Sequence, residues 1–216
     1  AAPFSDTLAG TAVSVTLSTE LGSSTPFTNL QFGDTSGGYV RLIAGIPTTL
    51  TITPAGAAAP AITQTLTLSD GVDYTLAAIG NGTLQPLELL TLIDDNTVLT
   101  NSAKLRIVHA APFSSNSLWT GIDVRLQSGP ALATGLLYKS DTGYLTLTSG
   151  SYDLRVVLAG TGVVLVDPPP ALLPNGRVAT VFVTGDGLAG NQPFGTLSLL
   201  ANDGALRVYA PIISRE

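Results

Sequence analysis

The sequence predicts an all-β chain built as two tandem β-sandwich domains, and three observations carry that prediction. Short runs rich in Val, Thr, Leu, Ile and Tyr alternate with Gly, Pro, Asn and Asp punctuation along all 216 residues, the pattern of a sandwich or barrel. No stretch keeps a helical period free of Gly and Pro. The motifs of the first half return, in order, in the second.

From the N-terminus, Val13, Val15 and Leu17 alternate with Ser14, Thr16 and Ser18, so the first strand buries one face and wets the other. The run Gly33-Asp34-Thr35-Ser36-Gly37-Gly38 has neither the Lys-Ser/Thr ending nor the following helix of a phosphate loop, and reads as a hairpin turn. In the second half the apolar runs predict strands at 104–109, 121–126, 134–138, 143–147, 152–158, 163–166, 178–184 and 195–200. Ile122, Val124 and Leu126 alternate with Asp123 and Arg125, again one buried face. Pro168-Pro169-Pro170 must lie in a connection, because proline has no N–H to give a ladder.

The repeat is legible in the letters. Ala1-Ala2-Pro3-Phe4-Ser5 recurs as Ala110-Ala111-Pro112-Phe113-Ser114. Gly38-Tyr39 recurs 105 residues later as Gly143-Tyr144, and the run 71–80 recurs at the same spacing as 176–185. Gln85-Pro86-Leu87 answers to Gln192-Pro193-Phe194. Solenoid repeats run at roughly 20–50 residues, so copies this far apart are whole domains. The expected division is 1–100, 101–203 and a C-terminal strand at 204–216.

Composition narrows the function classes. Charged residues make up 11% of the chain, well under the roughly 25% of an ordinary soluble domain. No apolar run approaches the ~18 residues of a membrane helix, so no membrane span is expected. The net charge of −6 leaves no basic stripe for phosphates, so nucleic acid is not an expected partner. With no cysteine there is no disulfide, thiolate metal site or thiol nucleophile. Methionine is also absent, and Ala1-Ala2 fits the mature side of a signal-peptide cleavage, a boundary of another origin being the alternative. The expected location is secreted, extracellular or at the cell surface.

Leu105-Arg106-Ile107-Val108-His109-Ala110-Ala111-Pro112 opens a stretch that continues through Gly143-Tyr144 to Ser149-Gly150-Ser151-Tyr152 and the glycine-ended run 180–185. This resembles a widespread family of secreted bacterial and archaeal domains of unknown function, with a Val-His-Ala-(Ser/Ala)-Pro opening and a habit of tandem occurrence on cell surfaces. The resemblance covers nearly the whole chain as two copies. It implies immunoglobulin-like or transthyretin-like sandwiches and an exported protein, and it implies no activity.

The first copy departs from that pattern, for nothing precedes its Ala1-Ala2-Pro3-Phe4-Ser5 to match the strand 105–109. A spare match lies at the other end: Ala205-Leu206-Arg207-Val208-Tyr209-Ala210-Pro211. A sandwich short of a strand leaves buried amides and carbonyls unpaired at about 1–3 kcal/mol each. It also forfeits about 1.5–3 kcal/mol for each large apolar side chain absent from the slot. Filling the slot is worth on the order of 10 kcal/mol before ordering costs. Leu206, Val208 and Ala210 are the expected inward residues of a donor strand, Arg207 and Tyr209 face outward or onto a neighbour, and Pro211 ends the ladder. The expected acceptor lies around Ala2, Pro3 and Phe4 and along Leu87, Leu89 and Ile93.

Three occupants fit the slot: the chain's own tail, the tail of another copy in an open head-to-tail polymer, or a swapped dimer. The polymer is favoured, because Asn202-Asp203-Gly204 links the tail as briefly as the halves are linked, and three or four residues span about 10–14 Å. The expected function is thus the subunit of an extracellular filament with copies of itself as partner. The alternative is a monomeric surface module that binds a glycan or protein ligand.

No catalytic, cofactor or metal site is expected. The single histidine, His109, has neither a second histidine nor a cysteine for a metal cluster, and no Gly-x-Ser-x-Gly elbow supports a triad. It reads as a strand-end residue whose ring hydrogen-bonds a neighbouring turn. Asp94-Asp95-Asn96 offers oxygen ligands for calcium but lacks EF-hand spacing and reads as a turn. Asn81-Gly82-Thr83 matches a glycosylation acceptor and, on the favoured reading, a tight turn. Trp119 and Tyr138 form a sugar-stacking platform on one reading and packing within the sandwich or between domains on the other, favoured one.

Overall fold

The computed structural model describes residues 9–187 and 195–200. The chain is all-β, its only helical pieces being the single 3-10 turns Ala9–Thr11 and Ser117–Trp119 among the described residues. It divides into two compact units. Among the described residues, the N-terminal unit holds 9–78 and 87–95, and the C-terminal unit holds 79–86 and everything from Asn96 onward. The boundary expected at residue 100 is therefore refined, because residues 79–86 leave the first half and cluster with the second.

In the N-terminal unit four antiparallel strands, β1 (Val13–Thr19), β2 (Gly22–Leu30), β3 (Pro47–Pro54) and β4 (Ile62–Thr67), form one sheet in the order β2-β1-β3-β4. Alternation sets the faces. Leu17, Leu50, Ile52 and Ile62 are buried in the unit's core together with Leu89. On the other face threonines meet across the strands, Thr16 Oγ1 with Thr25 Oγ1 at 3.0 Å and Thr49 Oγ1 with Thr65 Oγ1 at 2.8 Å. A second sheet consists, among the described residues, of β5 (Asp73–Ile79) and β6 (Glu88–Asp94). The run Gly33–Gly38 does not make the expected hairpin turn. It sits within the long connection between β2 and β3, where Gly33 and Gly37 take φ of 88° and 69°.

The C-terminal unit opens with β7 (Ser102–His109), then β8 (Ile122–Leu126), β9 (Ala131–Leu136), β10 (Leu145–Thr148), β11 (Gly150–Tyr152), β12 (Leu154–Leu158), β13 (Val164–Val166), β14 (Ala171–Leu173), β15 (Val178–Thr184) and β16 (Gly195–Leu200). One sheet runs β13-β12-β8-β9 and another β10-β7-β15-β16, with a two-stranded piece β11-β14. Leu105, Ile107, Ile122, Val124, Leu154, Val156 and Val183 lie in the core of this unit. The pair β7 and β15 is parallel, the other neighbours antiparallel.

The strands expected at 178–184 and 195–200 coincide with β15 and β16. The run 152–158 divides at Asp153, whose carbonyl accepts from Gln127 N, and its two parts join different sheets. Pro168-Pro169-Pro170 lies in a connection as expected, and the three-residue β14 after it had no readable signal. Among the described residues no helix is long and apolar enough to cross a membrane.

Candidate functional site

The site is the second sheet of the N-terminal unit, and the C-terminal unit supplies its standard of comparison. Residues 73–79 and 178–184 sit 105 apart, so β5 answers to β15, and β6 answers to β16 at a spacing of 107. In the C-terminal unit β15 lies between two neighbours, β7 on one edge and β16 on the other. Among the described residues β5 has one strand neighbour, β6. The edge that β7 occupies on β15 therefore corresponds to the other edge of β5. A second difference agrees with it. β10 pairs with β7, Leu145 opposite Leu105 and Leu147 opposite Ala103. The corresponding residues 40–43 of the N-terminal unit have no ladder.

The cores differ in the same place. Ala103, Leu105 and Ile107 of β7 project into the C-terminal core with Ala179 and Val183 of β15. In the N-terminal unit Leu76 of β5 and Leu87, both partly buried, pack against a core whose buried members, among the described residues, are Leu17, Leu50, Ile52, Ile62 and Leu89. A cleft of about 270 Å³ is lined by Leu17, Thr19, Leu21, Arg41, Leu42 and Ile43, beside that same unladdered segment.

The outer face of the C-terminal sheet carries a polar arrangement that alternation alone does not announce. Every residue from Ala103 to His109 is buried, including Lys104 and Arg106. Lys104 Nζ donates to Thr97 Oγ1 at 2.5 Å. Arg106 Nε donates to Thr180 Oγ1 at 3.1 Å, directly across the parallel ladder, and its guanidinium lies 4.7 Å from the centre of the Tyr144 ring. Hydrogen bonds and a ring face repay the removal of that cation from water. The residues 105 positions earlier are Thr75 and Tyr39. Both donate to one carboxylate oxygen, Asp94 Oδ2, each at 2.6 Å. Asp94 is therefore the last residue of β6 and a hydrogen-bond hub, where the sequence read it as a turn former or a calcium ligand.

The expected acceptor residues fall differently. Leu89 is buried in the core and Leu87 packs against it, whereas Ile93 is 65% exposed. In the C-terminal sheet β16, the counterpart of β6, lies on the far side of β15 from β7. Ala2, Pro3 and Phe4, and the donor residues Leu206, Arg207, Val208, Tyr209, Ala210 and Pro211, lie outside the described residues.

His109 closes β7 as a neutral latch. Its Nε2 donates to the Thr120 carbonyl at 2.7 Å, and its Nδ1 accepts from Ala111 N at 3.3 Å. The ring stacks on Phe113 and meets Tyr138 edge-on. Burial pushes its pKa down to about 4 against the contrary pull of the Thr120 bond. The ring thus bonds a neighbouring turn, as its place at the strand end predicts.

Asn81 lies in a turn, the reading the sequence favoured, and Trp119 departs from the packing expected of it. Asn81 is only 6% exposed; its Nδ2, the atom a glycan would occupy, donates to the buried Asp186 carboxylate at 3.1 Å. Its Oδ1 accepts from the backbone of Thr83, Leu84 and Gln85, so the Asn-Gly-Thr run is a buried turn and the folded chain leaves no room for a sugar there. Trp119 is not packed but 74% exposed beside the exposed Leu118, while Tyr138 is buried, so the two do not share a platform. Among the described residues no group of three or more acidic or histidine side chains is placed to hold a metal ion.

A family described as "Domain of unknown function (DUF4397)" matches residues 8–116, from just before β1 to just past β7. No curated protein matches the chain.

Proposed function

The chain belongs to the DUF4397 family of domains of unknown function, and from that premise we propose that it is a structural subunit of an extracellular filament, assembled by addition of a C-terminal β-strand to β5. The observation that carries the proposal is the unequal pair of second sheets, β10-β7-β15-β16 against β5-β6 among the described residues. The chain is a tandem pair of immunoglobulin-like sandwiches, as its equal strand orders β2-β1-β3-β4 and β9-β8-β12-β13 support. The segment 205–211 is a near match to 104–112, two residues shorter and sharing Leu-Arg with β7, and is the strand proposed for that edge.

The register follows from the template. Leu105 lies opposite Ala179, Arg106 opposite Thr180 and Ile107 opposite Val181. Transferred, Leu206 lies opposite Tyr74, Arg207 opposite Thr75 and Val208 opposite Leu76, with the donor parallel to β5. Leu206 and Val208 then enter the core beside Leu76, and Ala210 follows them inward. Strand addition of this kind takes its affinity from main-chain bonds and its specificity from alternate side chains. Donated to the next copy, the tail makes a heterologous contact that does not close, so copies continue into a fibre at the cell surface or beyond it.

Deleting residues 204–216 tests the reading. The shortened chain is expected to sediment as a monomer at every concentration, while the full chain grows with concentration. A synthetic peptide of residues 205–213 is expected to bind the shortened chain and restore protection to β5 amides. Filaments from the shortened chain would end the proposal. The rival is a monomeric surface-binding module whose tail closes on its own N-terminal unit. The exposed Leu118-Trp119 pair favours it, since such a patch suits a glycan or protein ligand. A full chain that stays monomeric at high concentration selects that rival.

A further inference from the structure

We propose that Tyr39, Thr75 and Asp94 form a socket for one arginine, Arg207 of the C-terminal segment, and that this contact sets the register of the added strand. The inference rests on the strand addition proposed above and deepens it.

The template is the Arg106 site. There an arginine on the incoming strand lies directly across the parallel ladder from a threonine, bonds its hydroxyl at 3.1 Å, and covers a tyrosine ring at 4.7 Å. The same threonine and the same tyrosine stand 105 residues earlier, as Thr75 on β5 and Tyr39 on the segment leading to 40–43. In this second setting they are joined to each other through Asp94, whose Oδ2 accepts both hydroxyls at 2.6 Å. A carboxylate that accepts two hydroxyl donors is held in place. The ring face, the hydroxyl and the fixed anion together are what a guanidinium satisfies: planar stacking, directed N–H bonds and charge.

The occupant is fixed by the same alignment. Of the two cations on β7, Lys104 has alanine as its counterpart, Ala205, and only Arg106 has a matching cation, Arg207. A slip of the tail by one residue would put Arg207 on the inner face of the sheet, and a slip by two would take it a full pleat, roughly 7 Å, from Asp94. The apolar letters of the tail favour filling the slot, and the arginine favours one way of filling it. A strand that must find its acceptor gains from a charged contact that rejects wrong registers.

The experiment uses the full chain and reads amide exchange at residues 74–78 and 205–210, with sedimentation at several concentrations. Arg207→Gln is expected to speed exchange at both segments at least tenfold. Arg207→Lys is expected to fall between, since an ammonium lacks the planar fork. Asp94→Asn, which still accepts from Tyr39 and Thr75, is expected to match Arg207→Gln while leaving β1 and β3 protection unchanged. The doubly swapped chain carrying Asp94→Arg and Arg207→Glu is expected to recover the parent's protection. Mixing the two singly swapped chains restores it only if the tail comes from another copy, so recovery in the double swap without recovery in the mixture sustains the socket and overturns the filament. A parent whose tail exchanges freely overturns both. Arg207→Gln with parental exchange at both segments overturns the socket and leaves strand addition standing.

Discussion

The second sheet of the C-terminal unit and that of the N-terminal unit are built from corresponding letters and differ in what fills the edge of their central strand. In the C-terminal unit β7 supplies Leu105 and Ile107 to the core, Arg106 to the outer face and a parallel neighbour to β15. In the N-terminal unit β5 has β6 alone among the described residues, and the segment 40–43, counterpart of β10, carries no ladder. A sheet edge is a template for pairing, and proteins either cover it or use it. In β15 that edge is covered by β7, and the proposed strand addition makes β5 an edge that is used.

The largest effect that sharpens this contrast comes from paired truncations. Leu105→Ala empties a fully buried core position and is expected to cost about 2–5 kcal/mol, lowering protection across β7, β15 and β8 together. Leu206→Ala removes the corresponding letter of the tail. It is expected to leave β15 untouched and to act on exchange at β5 and on assembly alone. If Leu206→Ala instead weakens β15, the tail serves the C-terminal unit and the correspondence between the two edges breaks.

A second, somewhat smaller effect comes from the latch at the end of β7. His109 has a folded pKa of about 4, below the 6.5 of a free imidazole, because burial disfavours its charged form. Between those values the unfolded chain binds a proton that the folded chain refuses. The stabilisation is complete above pH 6.5, declines as pH falls towards 4 and is lost below that, a total of about 3 kcal/mol. The tail carries Ala210 where β7 carries His109. Acidification from pH 6.5 to 5 is therefore expected to loosen β7 amides and spare β5, and His109→Gln to flatten the difference. Equal loosening at both strands would show that the pH response lies elsewhere.

How much of this was legible follows from which residues carry their meaning locally. Val13, Val15 and Leu17, or the run 178–184, state their own periodicity, and the strands formed where the letters put them. The repeat spacing carried the strand order across to the other unit. Arg106 did not declare itself, because alternation assigns it an outward face and only the fold shows that this face is buried. Tyr39, Thr75 and Asp94 are far apart in sequence and meet through a single oxygen. For Tyr39 and Thr75 the signal was present in the 105-residue spacing of the polar letters, Tyr144 and Thr180, whereas Asp94 has Leu199 at that spacing and gave none. Asn81 shows the converse. Three adjacent letters fit both a glycan acceptor and an Asx turn, and the buried Asp186, distant in sequence, decides between them.

The smallest predicted effect probes whether the two units remain equivalent one step before β5 and β15. Gly71 and Gly176 precede those strands with φ of 69° and 75°, a left-handed turn that a side chain enters at a cost of about 1–2 kcal/mol. Around Gly71 an added Cβ meets nothing within 4 Å, whereas at Gly176 it comes to 2.9 Å from Val98 Cγ1. Val98 is exposed and can turn its methyl aside, so the extra strain is small. Gly71→Ala and Gly176→Ala are therefore expected to destabilise their own units by nearly equal amounts, the second larger by a few tenths of a kcal/mol, read from exchange at β5 and β15 respectively. A large excess at Gly176 would mean that the segment carrying Val98 is held rigidly against the turn. The C-terminal sheet would then owe its stability to that brace as well as to β7, and the strand alone would no longer account for the difference between the two edges.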